Sequence, residues 1–342
     1  MKRLSLNMAV VIATAAIVCS CHKEPIPETI VATDFPVKEN LVGERVELDR
    51  AECLSGMVEP AGNYLVFNAI RSAYCFQVYD RDFKLVDTLF TKLGGPDEFP
   101  DGATYYGQWH GKETDPSLLV FCAARRQLAS ITIPRDSAIT TVMDVPVSED
   151  LTPSSIYQLS DSTYAGITLA ISEGASPFIY NAETNSVRKP QPPFTFAENA
   201  NMFYMTQQTL GVDYAAGRLC TAYNRLPWMV MYDFDFNVIR KIAVMGEVDT
   251  ATATLDQRYP GLIHPSFYNG HLMVIYVPAD GKNCSLLVFD KEGVPEASFM
   301  VDDAIWYLID ESGDRLLTVH YDNEKDFIYL RSNPIPALLT AD

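Results

Sequence analysis

Short apolar runs return along this chain at intervals near fifty residues, and that period restricts the fold more than any other feature. Six strand-like segments end in a common register: Val78-Tyr79-Asp80, Thr132-Ile133-Pro134, Ile179-Tyr180-Asn181, Met231-Tyr232-Asp233, Val288-Phe289-Asp290 and Ile328-Tyr329-Leu330. Their central residues lie at 79, 133, 180, 232, 289 and 329, with spacings of 54, 47, 52, 57 and 40 and a mean of 50. Each is preceded by a turn that opens into a strand, as in Gly62-Asn63-Tyr64-Leu65, Ala216-Gly217-Arg218-Leu219 and Asn269-Gly270-His271-Leu272. The runs are β-branched and aromatic, as in Trp228-Met229-Val230-Met231-Tyr232, and carry no helical period. Such runs predict strands buried on both faces.

A repeat of this length, with about four strands per unit, predicts an all-β fold: a six-bladed β-propeller of four-stranded antiparallel blades. Blades cover each other's faces, so their strands need not alternate polar and apolar. Asp or Asn after the third strand suits the hairpin to the fourth, because both tolerate left-handed backbone and bond their own main chain. The last repeat is incomplete. After Leu330 come Pro334 and Pro336, which disfavour a further hydrogen-bonded strand. Residues 42–48 (VGERVEL) are strand-like with no hairpin partner, and are expected to supply the missing strand and close the ring. The propeller is thus expected over residues 41–342.

The chain of 342 residues carries 44 acidic against 26 basic side chains, a net charge of −18. Scattered basic residues on an acidic chain exclude a nucleic-acid surface, which needs clustered Lys and Arg. The N-terminus has its own character. Lys2 and Arg3 precede an apolar stretch over residues 4–18, too short to span a bilayer and matching the h-region of an export signal. It ends Val18-Cys19-Ser20-Cys21, which resembles a bacterial lipoprotein lipobox. That resemblance implies lipidation of Cys21, with residues 1–20 as the signal peptide; an ordinary cleaved signal is the alternative. Pro25, Pro27 and flanking charges predict a tether over residues 21–40. His22-Lys23-Glu24 is similar to the surface-export signal of Bacteroidetes lipoproteins. The expected location is the cell envelope, lipid-anchored, with the periplasmic and surface faces of the outer membrane both open.

Beyond Cys19 and Cys21, Cys53, Cys75, Cys122, Cys220 and Cys284 are widely spaced with no CxxC pair, so neither a zinc ribbon nor a disulfide framework is indicated. Asp233-Phe234-Asp235-Phe236-Asn237 imitates the start of a calcium loop, but Val238 and Val244 stand where the loop needs Gly and Glu. A hairpin turn is the expectation there. No nucleotide, zinc-protease or serine-hydrolase motif is present, and no metal or cofactor is expected.

The stretch Gly95-Pro96-Asp97-Glu98-Phe99 is similar to the connector of NHL-type and TolB-like propellers, with Leu93 replacing that family's first Gly. With the lipobox and the repeat, the chain resembles a TolB-like six-bladed propeller lipoprotein of Bacteroidetes. That family has no common chemistry, so the resemblance implies fold rather than activity. Propeller loops converge on the axis, where ligands bind. Aromatic, Arg and His residues beside blade connections are therefore the candidate ligand contacts: Tyr105, Tyr106, Trp109, Arg225, Trp228 and His264. Blade-to-blade packing is the competing role for the aromatics. The expected function is a non-catalytic module binding a protein, peptide or glycan. The alternative is an envelope hydrolase or lyase acting on glycans or peptides with an axial His/carboxylate site.

Overall fold

The structure, a computed structural model, describes residues 28–49, 54–69, 72–91, 109–110, 117–122, 126–133, 140–144, 151–170, 173–324 and 327–340. Cys21 with the signal segment, the connector at residues 92–99, Tyr105 and Tyr106 lie outside the described residues.

The described residues form an all-β propeller. Three strands come from the N-terminal segment: β1 (Thr29–Ala32), β2 (Val37–Asn40) and β3 (Glu44–Val46). The first sheet is β4 (Leu54–Ala61), β5 (Tyr64–Ala69), β6 (Tyr74–Tyr79) and β7 (Leu85–Thr91). The second is β8 (Trp109–His110), β9 (Ser117–Cys122), β10 (Gln127–Thr132) and β11 (Thr140–Asp144). The third is β12 (Pro153–Gln158), β13 (Thr163–Ala170), β14 (Gly174–Asn181) and β15 (Ser186–Arg188). The fourth is β16 (Gln208–Asp213), β17 (Arg218–Tyr223), β18 (Trp228–Asp233) and β19 (Val238–Val244). The fifth is β20 (Gly261–Tyr268), β21 (His271–Val277), β22 (Ser285–Phe289) and β23 (Pro295–Met300). The last is β24 (Trp306–Asp310), β25 (Arg315–Asp322) and β26 (Phe327–Pro334).

Apolar clusters lie between successive sheets rather than in one central core. Val66 and Val78 of the first sheet meet Val120 and Ala129 of the second. Leu119 and Phe121 then meet Tyr164 and Phe178 of the third. Ile167 and Ile179 meet Leu219 and Tyr232 of the fourth, and Met229 and Met231 meet Leu272 and Leu287 of the fifth. Met273 and Leu286 meet Tyr307 and Leu316, and Leu317 and Leu330 return to Leu65 and Tyr79. Both faces of each central strand are therefore covered, which explains why the apolar runs are continuous. The first and last sheets are also tied by the fully buried Asp310 carboxylate, which pairs with Arg315 Nε at 2.8 Å and with Arg81.

Three of the turns after third strands share one device. The Asp80, Asp233 and Asp290 carboxylates each accept two backbone N–H bonds, from Asp82 and Lys84, from Asp235 and Asn237, and from Glu292 and Val294. Phe83, Phe236 and Gly293 then take positive φ to reverse the chain. The Asp233–Asn237 string is thus a hairpin, as its failed calcium pattern predicts.

β3 pairs antiparallel with β26, Val46 opposite Leu330 and Glu44 opposite Ser332, so residues within 42–48 complete the last sheet. The tether expected over 21–40 is corrected for its described part. β1 lies parallel on β19, and β2 parallel on β23, giving the fourth and fifth sheets a fifth strand each. Between them Phe35 drops into the inter-sheet core and meets Phe289 edge-on at 5.4 Å. Burial of Ala32 and Phe35 outweighs the prolines and charges that favour an extended linker.

Cys220 and Cys284 are buried thiols; burial pushes both up, Cys284 to about 11, which keeps them protonated and inert.

Candidate functional site

The first strands of the sheets converge at the centre of the propeller. We call upper the end that carries the β17–β18 turn, and lower the opposite end. Two cavities lie end to end between these inner strands and share Tyr157 and His264. The upper one, about 180 Å³, is lined by Met57, Ser155, Gln208, Asn224 and Trp306 among others. The lower one, about 220 Å³, is lined by Glu59, Ser266, Tyr268 and Glu311 among others. A third cavity of about 520 Å³ sits on the upper face, between the β17–β18 turn, the β19–β20 connection and the β21–β22 turn. Gln207 and Asn224 line both it and the upper axial cavity, so the two adjoin.

His264 stands at the waist of this channel because β20 is interrupted there. Ile263 pairs with Ile275 but Ser266 pairs with Met273, so β20 holds an extra residue, a β-bulge. His264 takes φ +56°, a conformation an L-residue keeps only where its surroundings impose it. They do so on both sides. Its N–H donates to Thr209 Oγ1 at 3.0 Å, and its carbonyl accepts from Tyr307 Oη at 3.0 Å. Tyr307 Oη also shares a 2.6 Å bond with Ser266 Oγ. Opposite the bulge is Gly211, where any Cβ would collide with the Pro265 carbonyl. The imidazole stacks on Trp306 with ring centroids 3.6 Å apart, while Trp306 Nε1 donates to Val58 O at 3.2 Å. Burial holds the ring below the ordinary histidine range, at about 3, against a smaller opposing hydrogen bond that the ring donates to the Tyr307 backbone carbonyl. It is therefore neutral at pH 7. Glu59, at the end of β4, lines the lower cavity, and burial pushes its carboxyl up to about 8. A neutral imidazole and a protonated carboxyl thus line one channel at neutral pH.

The sequence candidates separate. His264 lies on the axis, and Arg225 lines the upper-face cavity beside Arg258 and Tyr259. Arg225 Cζ sits 5.2 Å from the Tyr204 ring centroid. Trp228 is corrected: it is only 7% exposed, packs on Phe194 at 4.9 Å and donates to Val248 O, so its role is blade packing. The Trp109 backbone lies in β8, paired with Leu118. Reasoning from sequence missed Glu59, Gln208, Asn224, Arg258 and Trp306. Only the placement of Glu59, Gln208 and Trp306 on first strands of their repeats could have flagged any of them.

Among the described residues, no three His, Cys, Asp or Glu side chains converge so as to hold a metal ion, and no helix is long and apolar enough to cross a membrane.

No protein-family model and no curated protein sequence matches the chain. Solved structures do. A member of the DUF4221 family from Bacteroides vulgatus superposes with a TM-score of 0.60 at 13% identity, covering 86% of this chain and 98% of that one. TolB from Acinetobacter baumannii gives a TM-score of 0.42 at 10% identity, covering 81% of this chain and 62% of that one. Regucalcin from Agrobacterium tumefaciens gives 0.48 at 10% identity, covering 87% and 97%. At these identities the first similarity shows the propeller fold and nothing of activity.

Proposed function

We propose that this chain is a binding module of the cell envelope, a six-bladed TolB-like propeller of the Bacteroidetes lipoprotein kind, whose upper face takes a glycan or peptide. The observation that carries it is the cavity of about 520 Å³ on that face, adjoining the axial channel. Its volume falls within the roughly 300–1,000 Å³ of small-molecule sites. Its wall is polar and mixed, with Gln207, Asn224, Arg225, Gln257 and Tyr259, as suits a hydrogen-bonding ligand. In this reading every sheet is one blade, including β8–β11, whose packing against both neighbours matches that of the sheets described more fully.

Anchoring through Cys21 gives this face its orientation. β1 runs parallel to β19, from Thr29 beside Lys241 to Ala32 beside Val244, where β19 reaches the upper end. The described chain therefore enters beside the middle of β19 and runs to its upper end. The seven residue-to-residue steps from Cys21 to Glu28 reach at most about 25 Å. With so short a tether we propose that the lower face is turned toward the membrane and the cavity toward the partner.

The test is a thermal-shift screen of the full-length chain against neutral glycans, acidic glycans and short peptides. At least one class raises Tm, and Asn224→Leu, which fills the junction of the cavities, abolishes the shift. A screen in which no class stabilises the protein overturns the proposal.

A second reading, an envelope hydrolase or lyase, is favoured by one observation: Glu59 and His264 line the same axial cavity. A protonated Glu59 near neutral pH would serve as a general acid. Product release that Glu59→Gln abolishes without lowering Tm discriminates this reading from simple binding.

A further inference from the structure

The arginines of this chain divide sharply. Arg45, Arg81, Arg188, Arg240, Arg315 and Arg331 each reach a carboxylate, and Arg126 and Arg218 each donate to a backbone carbonyl. Arg225 and Arg258 are the described arginines that do neither, and both line the upper-face cavity. On a chain of net charge −18, carboxylates are plentiful, so two arginines left unpaired in one cavity form a local positive focus in an acidic surface. Arg225 is held over the Tyr204 ring, which keeps its guanidinium edge open to a second partner. Asp280 also lines the cavity but forms no ion pair with either arginine.

Deeper in, the unmet groups are of the opposite kind. Asn224 Oδ1 and Gln208 Oε1 are buried acceptors with no hydrogen-bond partner. Gln208 is fixed in place, because its Nε2 donates to Ala175 O at 3.0 Å. A buried acceptor left unmet is costly, so these oxygens are prepared for donors that enter with a ligand. The ligand must therefore bring an anion to the rim and O–H or N–H donors to the floor. Neutral amide oxygens beside two arginines match hydroxyls better than an ammonium, which the arginines repel. Tyr259, half-buried on the wall and steadied by its hydroxyl donating to Gln257 Oε1 at 2.9 Å, offers a ring face for the C–H side of a pyranose.

We infer that the upper-face cavity selects an acidic sugar, with Arg225 and Arg258 on its carboxylate and Asn224 on a hydroxyl, Gln208 standing beyond it in the adjoining axial cavity. The inference rests on the upper face being the ligand site, and adds the chemistry of the ligand. Paired N–H donors facing a carboxylate give the geometric selectivity that a lone lysine lacks.

The experiment is calorimetric titration of the full-length chain with digalacturonate and with its uncharged counterpart, galactobiose. Digalacturonate is expected to bind about tenfold or more tightly than galactobiose, with the advantage shrinking as salt rises. Arg225→Gln/Arg258→Gln, on exposed side chains that support no other contact but the Tyr204 ring, should keep the unliganded Tm and lose that advantage. Equal affinity for the two sugars, or an advantage that survives the double variant, overturns the acidic-sugar assignment while leaving the binding face intact. Binding of neither sugar also overturns it, and the wider ligand screen then judges the binding face separately.

Discussion

His264 and His320 present the same imidazole in two settings. Each stacks on an aromatic ring, Trp306 at 3.6 Å and Tyr329 at 5.1 Å, and burial holds each below the ordinary histidine range. The difference is in the ring nitrogens. His320 is 1% exposed, with Nε2 bonded to Thr318 Oγ1 at 2.8 Å and Nδ1 to Asp303 at 2.9 Å. Every polar atom of that ring is matched, and its backbone is ordinary strand. His264 has its main chain firmly matched, whereas among the described residues its ring meets no side-chain hydrogen-bond partner, only the Tyr307 backbone, and it lines a cavity from a left-handed backbone. A histidine whose two nitrogens are both satisfied by side chains of its own fold is part of the core, whereas one whose backbone is over-determined and whose ring faces a cavity has been positioned for something else.

The contrast breaks first on stability. His320→Ala removes two hydrogen bonds and a filled core position, and should cost about 2–4 kcal/mol in urea unfolding at pH 7. His264→Gly releases left-handed strain of about 1 kcal/mol and loses a stacking contact of similar size, so its stability should stay within about 1 kcal/mol of wild type. A larger loss at His264 than at His320 would reverse their roles.

pH sharpens it next. A histidine lowered to about 3 from an unfolded value near 6.5 contributes stability that is complete above pH 6.5 and drains away as pH falls toward 3. Wild-type Tm should therefore fall more steeply than that of His264→Gly between pH 7 and pH 4. Identical slopes would mean that the ring is not held neutral.

The smallest effect belongs to Glu59, whose linkage has the opposite sign. Its carboxyl is raised to about 8, so its contribution is present below about 4.5 and lost as pH rises through 8. Glu59→Gln should raise stability at pH 8, by about 1 kcal/mol at most once solvent in the cavity is allowed for. At pH 4.5 the two proteins should unfold alike. A destabilised Glu59→Gln at pH 8 would place a cation or a donor beside that carboxylate.

Much of the fold was legible because several sheets repeat the same local chemistry. Asp80, Asp233 and Asp290 close their hairpins by bonding nearby N–H groups, an interaction within five residues that any homologous turn would reproduce. The VGERVEL strand was legible because the last repeat lacked a partner that a closed sheet requires. β1 and β2 were not, since four-residue strands added in parallel to complete sheets answer no deficit visible in the sequence. Trp228 was misplaced for a related reason: an aromatic beside a proline packs inward or outward according to a neighbour, here Phe194, more than thirty residues away.

Period, turn chemistry and the unmatched last repeat were sufficient on their own to specify strands, their grouping and the device that completes the last sheet, because each is a short-range or counting constraint. The cavity is otherwise. Arg225 and Arg258, Asn224 and Gln208, and Glu59 and His264 become neighbours of a common space only when the inner strands are brought round one axis. Whether an arginine finds a carboxylate or an imidazole finds a donor is settled by that long-range geometry, which no spacing along the chain encodes.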